Sequence, residues 1–534
     1  MITVEDFLLQ NQEADLLRIA TAGSVDDGKS TLIGRLLSDA RAIYEDQLDA
    51  IRGCSQQGDN IDYSLITDGL KAERDQGITI DVAYRFFSTP RRRFIIADTP
   101  GHEQFTRNMA TGASNAQLAL VLIDAQKGVT LQTKRHTFIS SLLGIGHFVV
   151  AVNKMDLAGY DETVFDNIVK EFRLFAAKLS LKSVSFIPLS ALKGDNITEK
   201  SEKMPWYKGP PLLDHLEKIV VINERNLIDF RFPVQYTIRA EKGFRGYAGT
   251  IASGVIRLGE EVIAIPSGYR SKVKKIVTYN GDRSYAFAAQ AVTILLEDDL
   301  DVGRGHLLVR PGNPPNGTLN VEANIVWMNE MPLYSGAEYL FKYCSSYIKG
   351  TVQSLKYRFD IQTLHRKTTD KFSINEIGKI VIAFHQPIFA DNYSINRATG
   401  AFIVIDPATK LTLGAGMITR CDTESAVKRN TPDGKECREL SAVTYWMPLN
   451  ASNVTIESLT GKLQPLLKLH WDELEKSLNF GLQIQDKEAK LMQIAQIALL
   501  ANKSGISVLV LSPFPPGKAV RELLMEKLDI CEDT

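Results

Sequence analysis

Cysteine is scarce, with five in 534 residues. Cys54, Cys344, Cys421, Cys437 and Cys531 form no C-x-x-C pair and have no histidine spacing suited to zinc. That excludes a disulfide scaffold and a zinc module, and leaves the thiols as reduced structural residues. Long apolar runs are missing as well. None approaches the roughly 18 uninterrupted residues of a membrane-spanning helix, and residues 1–15 carry acids where an export signal would have an apolar centre. A cytoplasmic chain with no membrane partner is expected. Net charge is nearly absent: 62 Lys plus Arg stand against 63 Asp plus Glu, so no whole-molecule field draws the chain to nucleic acid. What remains is an ordinary globular composition, 44% hydrophobic, long enough for roughly three or four domains.

The stretch that organises the chain is Gly23-Ser24-Val25-Asp26-Asp27-Gly28-Lys29-Ser30-Thr31. It lies between an apolar run, Leu16 to Ala20, and an amphipathic run, Leu32 to Leu37, so it reads as strand, glycine-rich loop, helix. The spacing G-x-x-x-x-G-K-S/T is that of a phosphate-binding loop, in which glycines let backbone N–H groups wrap a phosphate chain at a helix N-terminus. Lys29 is expected to reach the β- and γ-phosphates, and Ser30 to give its hydroxyl to Mg²⁺.

Further matches follow in order. Cys54 to Asp62 reads as a polar loop. In Gln76-Gly77-Ile78-Thr79, the Thr79 hydroxyl can join Mg²⁺ when the γ-phosphate is present, and loss of that contact on hydrolysis would release the loop. Ile78 to Ala83 also suits an edge strand. Arg91-Arg92-Arg93 reads as a solvated hairpin tip between two β-prone runs. The second run ends in Asp98-Thr99-Pro100-Gly101-His102. There, Asp98 is placed to hold the Mg²⁺ shell, Gly101 to offer an N–H to the γ-phosphate, and His102 to orient the attacking water. Leu118 to Ile123, Phe148 to Val152 and Val184 to Leu189 alternate with helix-compatible segments, which predicts a mostly parallel sheet. Asn153-Lys154-Met155-Asp156 closes one of these strands. The Asp156 carboxylate accepts both N–H donors of a guanine edge, a pair that adenine lacks, so GTP is expected over ATP. Ser190-Ala191-Leu192 suits a segment closing over the base.

Taken together, these motifs resemble the elongation-factor-like translational GTPase superfamily. Gly23 to Leu37, Ile43 to Leu48, Asp68-Gly69-Leu70, Asp81 to Arg85 and Pro205-Trp206-Tyr207 resemble, within it, the GTPase-subunit family of bacterial sulfate adenylyltransferases, over roughly residues 10 to 425. The resemblance implies an α/β P-loop GTPase domain (1–225) followed by two antiparallel β-barrels (226–316 and 317–425). It also implies GTP and Mg²⁺ as ligands, a small ATP-pyrophosphatase subunit as partner, and coupling of GTP hydrolysis to formation of adenylylsulfate and pyrophosphate. A translation-type GTPase acting on RNA or ribosome is the alternative. Short β-branched runs from Phe232 onward, and again from about Leu319, carry the barrel texture. Phe244, Arg245 and Tyr247 read either as a partner contact or as ordinary barrel surface and core.

Glu424 to Glu439 reads as a linker. Beyond it, Asp486-Lys487, Ile494 to Ala501 and Gly505 to Phe514 resemble adenylylsulfate kinase, so residues 440–534 are expected to form a small α/β kinase-like domain. Val443 to Met447 resembles that family's first strand, but Pro448-Leu449-Asn450-Ala451-Ser452 follows where a phosphate loop belongs. Gly461-Lys462 does not supply one, because Ile456 and Leu463 occupy the first-glycine and hydroxyl positions. The segment reads as degenerate and truncated.

Overall fold

The computed structural model describes residues 15–41, 63–66, 73, 79–221, 226–240, 244–279, 281–315, 317–422, 444–448, 466–470 and 507–512. They fall in two units, Met1–Lys428 and Arg429–Thr534. The loop read at 54–62, the resemblance segments 43–48 and 68–70, Gly77, Ile78, the linker 424–439 and most of the tail, including 449–463, 486–487 and 494–501, lie outside the described residues.

The first layer is a six-stranded sheet: β1 (Asp15–Ala22), β2 (Ala83–Ser88), β3 (Arg92–Asp98), β4 (Leu118–Asp124), β5 (His147–Asn153) and β6 (Ser183–Pro188), in the order β2-β3-β1-β4-β5-β6. Only β2 runs antiparallel to its neighbour. Every residue of β4 is buried, which explains its unbroken apolar run: a strand covered on both faces does not alternate. Side chains still divide by parity. Leu118, Leu120 and Leu122 pack with Leu32, Ile33 and Leu36 of α1 (Lys29–Asp39). Val121 and Ile123 pack on the other face with α2 (Thr106–Ser114), α3 (Leu131–Leu142) and α4 (Glu162–Ala176) through Met109, Ile139 and Phe172.

Arg92 corrects the reading of a solvated arginine tip. It is buried, and its guanidinium donates to Leu216 O at 3.0 Å and Ile219 O at 2.6 Å and pairs with Asp15. Strand β3 begins at Arg92, in register with Asp15 of β1, so the side chain meets the carbonyl end of α5 (Leu212–Lys218), where a cation is favoured. Arg91 stays exposed beside Glu217.

Two barrels follow. Strands β7 (Arg231–Ala240), β8 (Phe244–Thr250), β9 (Glu261–Ile265), β10 (Arg270–Thr278), β11 (Ala291–Leu296) and β12 (Leu307–Val309) close in the ring β9-β12-β7-β8-β11-β10, with β10 back on β9. Strands β13 (Gly317–Trp327), β14 (Glu338–Tyr343), β15 (Ser346–Phe359), β16 (Ile377–Phe389), β17 (Ala401–Ile405) and β18 (Thr412–Cys421) close as β14-β17-β18-β13-β16-β15, with β15 on β14. Closure removes the exposed edges that open sheets must protect. Tyr247 belongs to the first barrel's core and donates to Leu300 O at 2.8 Å, while Arg245 pairs with Asp299 and Asp301. Ordinary barrel structure accounts for both. Cys344 and Cys421 are free thiols, which burial pushes up to about 12 and about 11 respectively.

In the second unit, β19 (Thr444–Pro448), β20 (Leu466–His470) and β21 (Ser507–Ser512) form a parallel sheet in the order β19-β21-β20.

A buried ion pair clamps the two barrels. Arg231 Nε and Nη2 donate to the two Asp391 carboxylate oxygens at 3.0 Å each, Nη1 donates to Asn313 O at 2.7 Å, and Thr399 Oγ1 donates to Asp391 Oδ2 at 2.6 Å. Removing one partner strands the other charge in a poorly solvated place, a loss of about 3 kcal/mol or more. Arg231→Met is therefore expected to lower the barrel unfolding midpoint in urea markedly. Arg231→Met combined with Asp391→Leu should recover part of that loss.

Candidate nucleotide site

Strand ends build the site. β1, β3, β4 and β5 all finish at one edge of the parallel sheet, where the loops that follow them converge. After β1 the chain turns through Gly23 (φ 144°), Asp26 (φ 64°) and Gly28 (φ 87°) before α1 begins at Lys29. Gly28 must lack a side chain, because a Cβ there would strike Asn153 Nδ2. Lys29 is buried and its Nζ donates to Ser24 O at 2.6 Å and Gly23 O at 3.5 Å. Burial lowers its pKa, opposed by the nearby carboxylates of Asp27, Asp98 and Asp26. Val25, Ser30 and Thr31 are half-buried and Asp26 is exposed.

The loop after β3 lies against this one. A Cβ on Gly101 would run into Lys29 Nζ and the Ser24 backbone, so Gly101 is required by close approach. Asp98 is buried at the strand end and accepts from Thr21 Oγ1 at 3.3 Å. Thr99 is pinned in turn, its N–H donating to Thr21 Oγ1 at 3.1 Å and its hydroxyl to Thr21 O at 2.6 Å. Pro100 is buried. His102 is half-buried, and its Nδ1 accepts from Gln104 N at 3.3 Å, capping a single 3-10 turn, Glu103–Phe105. Thr79 Oγ1 sits 3.4 Å from Ser30 Oγ. The backbone after Thr79 is irregular until Ala83, because the N–H groups of Ile80 and Asp81 donate to Glu73 Oε1 at 3.0 and 3.3 Å and Ile80 O accepts from Asn108 Nδ2 at 2.8 Å.

Asn153, at the end of β5, joins the two halves of the site. Its Nδ2 donates to Asp27 O at 2.8 Å, and its Oδ1 accepts from Ala191 N at 2.9 Å. Lys154 adopts a left-handed backbone (φ 63°) and its Nζ pairs with buried Asp124 at 2.9 Å. Asp156 is half-buried. Ser190 is buried, its Oγ accepting from Lys193 N at 3.2 Å, and Leu192 is exposed. The sequence-derived residues thus fall at the ends of β3 and β5, on the loops after β1, β3, β5 and β6, at the first turn of α1 and, for Thr79, on the segment before β2.

Four supports escaped the sequence reading. Thr21 fixes Asp98 and Thr99, Asp124 fixes Lys154, and Gln132 approaches His136, which accepts from Gly23 N at 3.3 Å through Nδ1. Asp124 ends a strand just as Asp98 does, and that position was a usable signal. The other three sit in ordinary strand and helix sequence.

Comparison with known proteins follows the same lines. Residues 14–224 match the family described as Elongation factor Tu GTP binding domain, and residues 320–419 match GTP-eEF1A C-terminal domain-like. The chain is similar to "Sulfate adenylyltransferase subunit 1" of Cellvibrio japonicus, 52% identical over 78% of this chain and 89% of that protein. The protein of the same name from Bacteroides fragilis is 52% identical over 78% of this chain and 88% of its own length. "Bifunctional enzyme NodQ" of Rhizobium sp. strain N33 is 44% identical over 99% of this chain and 86% of its length.

His136 gives the site a pH signature. Burial, aided by Lys29 and Arg135, lowers its pKa from 6.5 to about 3. Between about pH 6.5 and 3 the unfolded chain therefore holds the extra proton, so this residue's contribution is complete above 6.5 and falls as pH drops, by up to about 1.4 kcal/mol per unit. His136→Asn, which keeps an acceptor for Gly23 N–H, is expected to flatten that part of the stability profile in denaturant titrations between pH 4 and 7.

Proposed function

This chain belongs to the sulfate adenylyltransferase subunit 1 family, and on that premise we propose that it is a GTP-hydrolysing subunit. It couples GTP cleavage to the formation of adenylylsulfate and pyrophosphate from ATP and sulfate. The observation that carries this reading is the identity of about half, 52%, across 89% of a relative so named, joined to a complete set of GTP motifs on one sheet edge. That identity favours sulfate activation over an action on RNA or ribosome.

Within the site, the Gly23–Thr31 loop cradles the phosphates. Lys29 moves its ammonium from the Ser24 and Gly23 carbonyls toward the β–γ bridge, where charge develops. Gly101 offers its N–H to the γ-phosphate and His102 orients the attacking water, its Nδ1 held by Gln104 N–H so that Nε2 is left for that task. Asp156 accepts the guanine N–H pair, Lys154 is held in place by Asp124, and Ser190, Ala191 and Leu192 close over the base. The hydroxyls of Ser30 and Thr79 with the Asp98 carboxylate are a hard oxygen set suited to Mg²⁺. That ion, when bound, offsets charge on the phosphates.

We place domain boundaries at 1–225, 226–316, 317–425 and 440–534. The partner is a small ATP-pyrophosphatase-type subunit carrying the adenylyl-transfer site, in a cytoplasmic heteromer. Residues 440–534 are a degenerate adenylylsulfate-kinase-like segment. The parallel strands β19, β21 and β20 and the alignment of 99% of the chain with a protein named as a bifunctional enzyme support this, while the sequence after β19 lacks a phosphate loop. No helix among the described residues is long and apolar enough to cross a membrane.

Two variants test the site. His102→Ala should lower kcat for GTP hydrolysis by about 100-fold or more with little change in KM. Asp156→Asn should cost about 100-fold in GTP affinity while improving xanthosine triphosphate, whose edge presents an acceptor where guanine has a donor. Unchanged nucleotide preference in the second variant would remove Asp156 from the base site. The purified chain is further expected to show no phosphorylation of adenylylsulfate.

A further inference from the structure

A phosphate-binding loop attracts a polyanion, yet this one holds a carboxylate at its centre. Asp27 immediately precedes Gly28 and is 1% exposed. Its Oδ2 accepts from Ser24 N at 2.5 Å, and its Oδ1 has no hydrogen-bond partner among the described residues. The cation nearest in sequence does not neutralise it through a contact, because Lys29 Nζ is directed to the Ser24 and Gly23 carbonyls. Charges of both signs surround the site: Lys29 and, more weakly, Lys127 attract Asp27, while Asp124, already paired with Lys154, repels it. The acid is therefore buried and half-satisfied, and its geometric task, closing Ser24 N–H, needs only an acceptor and no charge.

We propose that Asp27 sets nucleotide affinity: its buried negative charge within the phosphate loop repels the bound phosphates, so that GDP leaves at a useful rate without a separate release factor. The energetics have the required sign. A unit charge facing a polyanion across a poorly solvated loop is screened far less than one in water. GDP and GTP share the inner phosphates, so both are weakened. Release of GDP is the step that benefits, because a subunit driving a second reaction must turn over. Burial raises the pKa of Asp27, with Lys29 opposing, consistent with an acid under strain at this position.

This inference rests on reading the loop as a GTP site, and the experiment separates the two. Binding and release of a fluorescent GDP analogue are measured on the full chain at pH 7.5, for the natural protein, Asp27→Asn and Asp27→Ala, with thermal melts in parallel. Asp27→Asn keeps an acceptor for Ser24 N–H and removes the charge, and is expected to bind GDP about tenfold tighter with correspondingly slower release. Asp27→Ala removes charge and acceptor together and should tighten less. It also provides the reading if Asp27→Asn fails to fold. GDP binding equal to or weaker than the natural protein in the folded variants would overturn the proposal and leave Asp27 a purely structural residue. Failure of the natural protein to bind the GDP analogue would instead overturn the GTP-site reading itself.

Discussion

The site depends on one side chain, Asn153. Its amide nitrogen holds the Gly23–Thr31 loop through Asp27 O at 2.8 Å, and its amide oxygen holds the Ser190–Leu192 segment through Ala191 N at 2.9 Å. Both groups it satisfies are backbone, both are buried, and a buried unpaired backbone group is costly. A planar amide with one donor side and one acceptor side is what this bridge requires. An aspartate would lose the donor. Through this bridge the Gly23–Thr31 loop and the Ser190–Leu192 segment are tied together at the end of β5, while Thr21 ties down Asp98 and Thr99 at the end of β3.

The second barrel touches that unit at the turn following His102. Asn375, itself in a left-handed conformation (φ 61°), donates to Glu103 O at 3.0 Å, and Arg135 of α3 pairs with the Glu103 carboxylate at 2.6 Å. Around this point Phe138 packs edge-on to Phe359 at 5.1 Å, and Tyr393 donates to Leu143 O at 3.0 Å. A change at the γ-phosphate that moves Gly101 and His102 would therefore pull on the barrel through Glu103. Because the two barrels are clamped by Arg231 and Asp391, they would respond together. Coupling of this kind requires only that the GTP and GDP forms bind a partner differently.

Much of this was legible in the sequence, and for identifiable reasons. Glycine spacing, strand-end acids and the N-K-x-D run are chemical necessities confined to short stretches, so Lys29, Asp98, Asn153 and Asp156 could be named without coordinates. The barrels were visible as texture, but their closure depends on pairings such as Ile263 with Val309 and Leu307 with Pro233 that lie in no local pattern. Arg92 was misread because its partners, Leu216 O and Ile219 O, are more than a hundred residues away. Thr21 and His136 were missed because their partners, Asp98 and Gly23, lie on distant elements, whereas Asp124 stood at a strand end and could have been named. The supports of a site come from distant elements and look like ordinary strand or helix residues.

Whether GTP cleavage drives sulfate activation is decided by following adenylylsulfate formation from ATP and sulfate by this chain with the proposed ATP-pyrophosphatase-type partner. GTP would be compared with a non-hydrolysable GTP analogue in that assay. GTP is expected to raise adenylylsulfate beyond the level reached from ATP and sulfate alone, in step with phosphate release, and the analogue is not. Equal product with GTP, the analogue or no guanine nucleotide would contradict it.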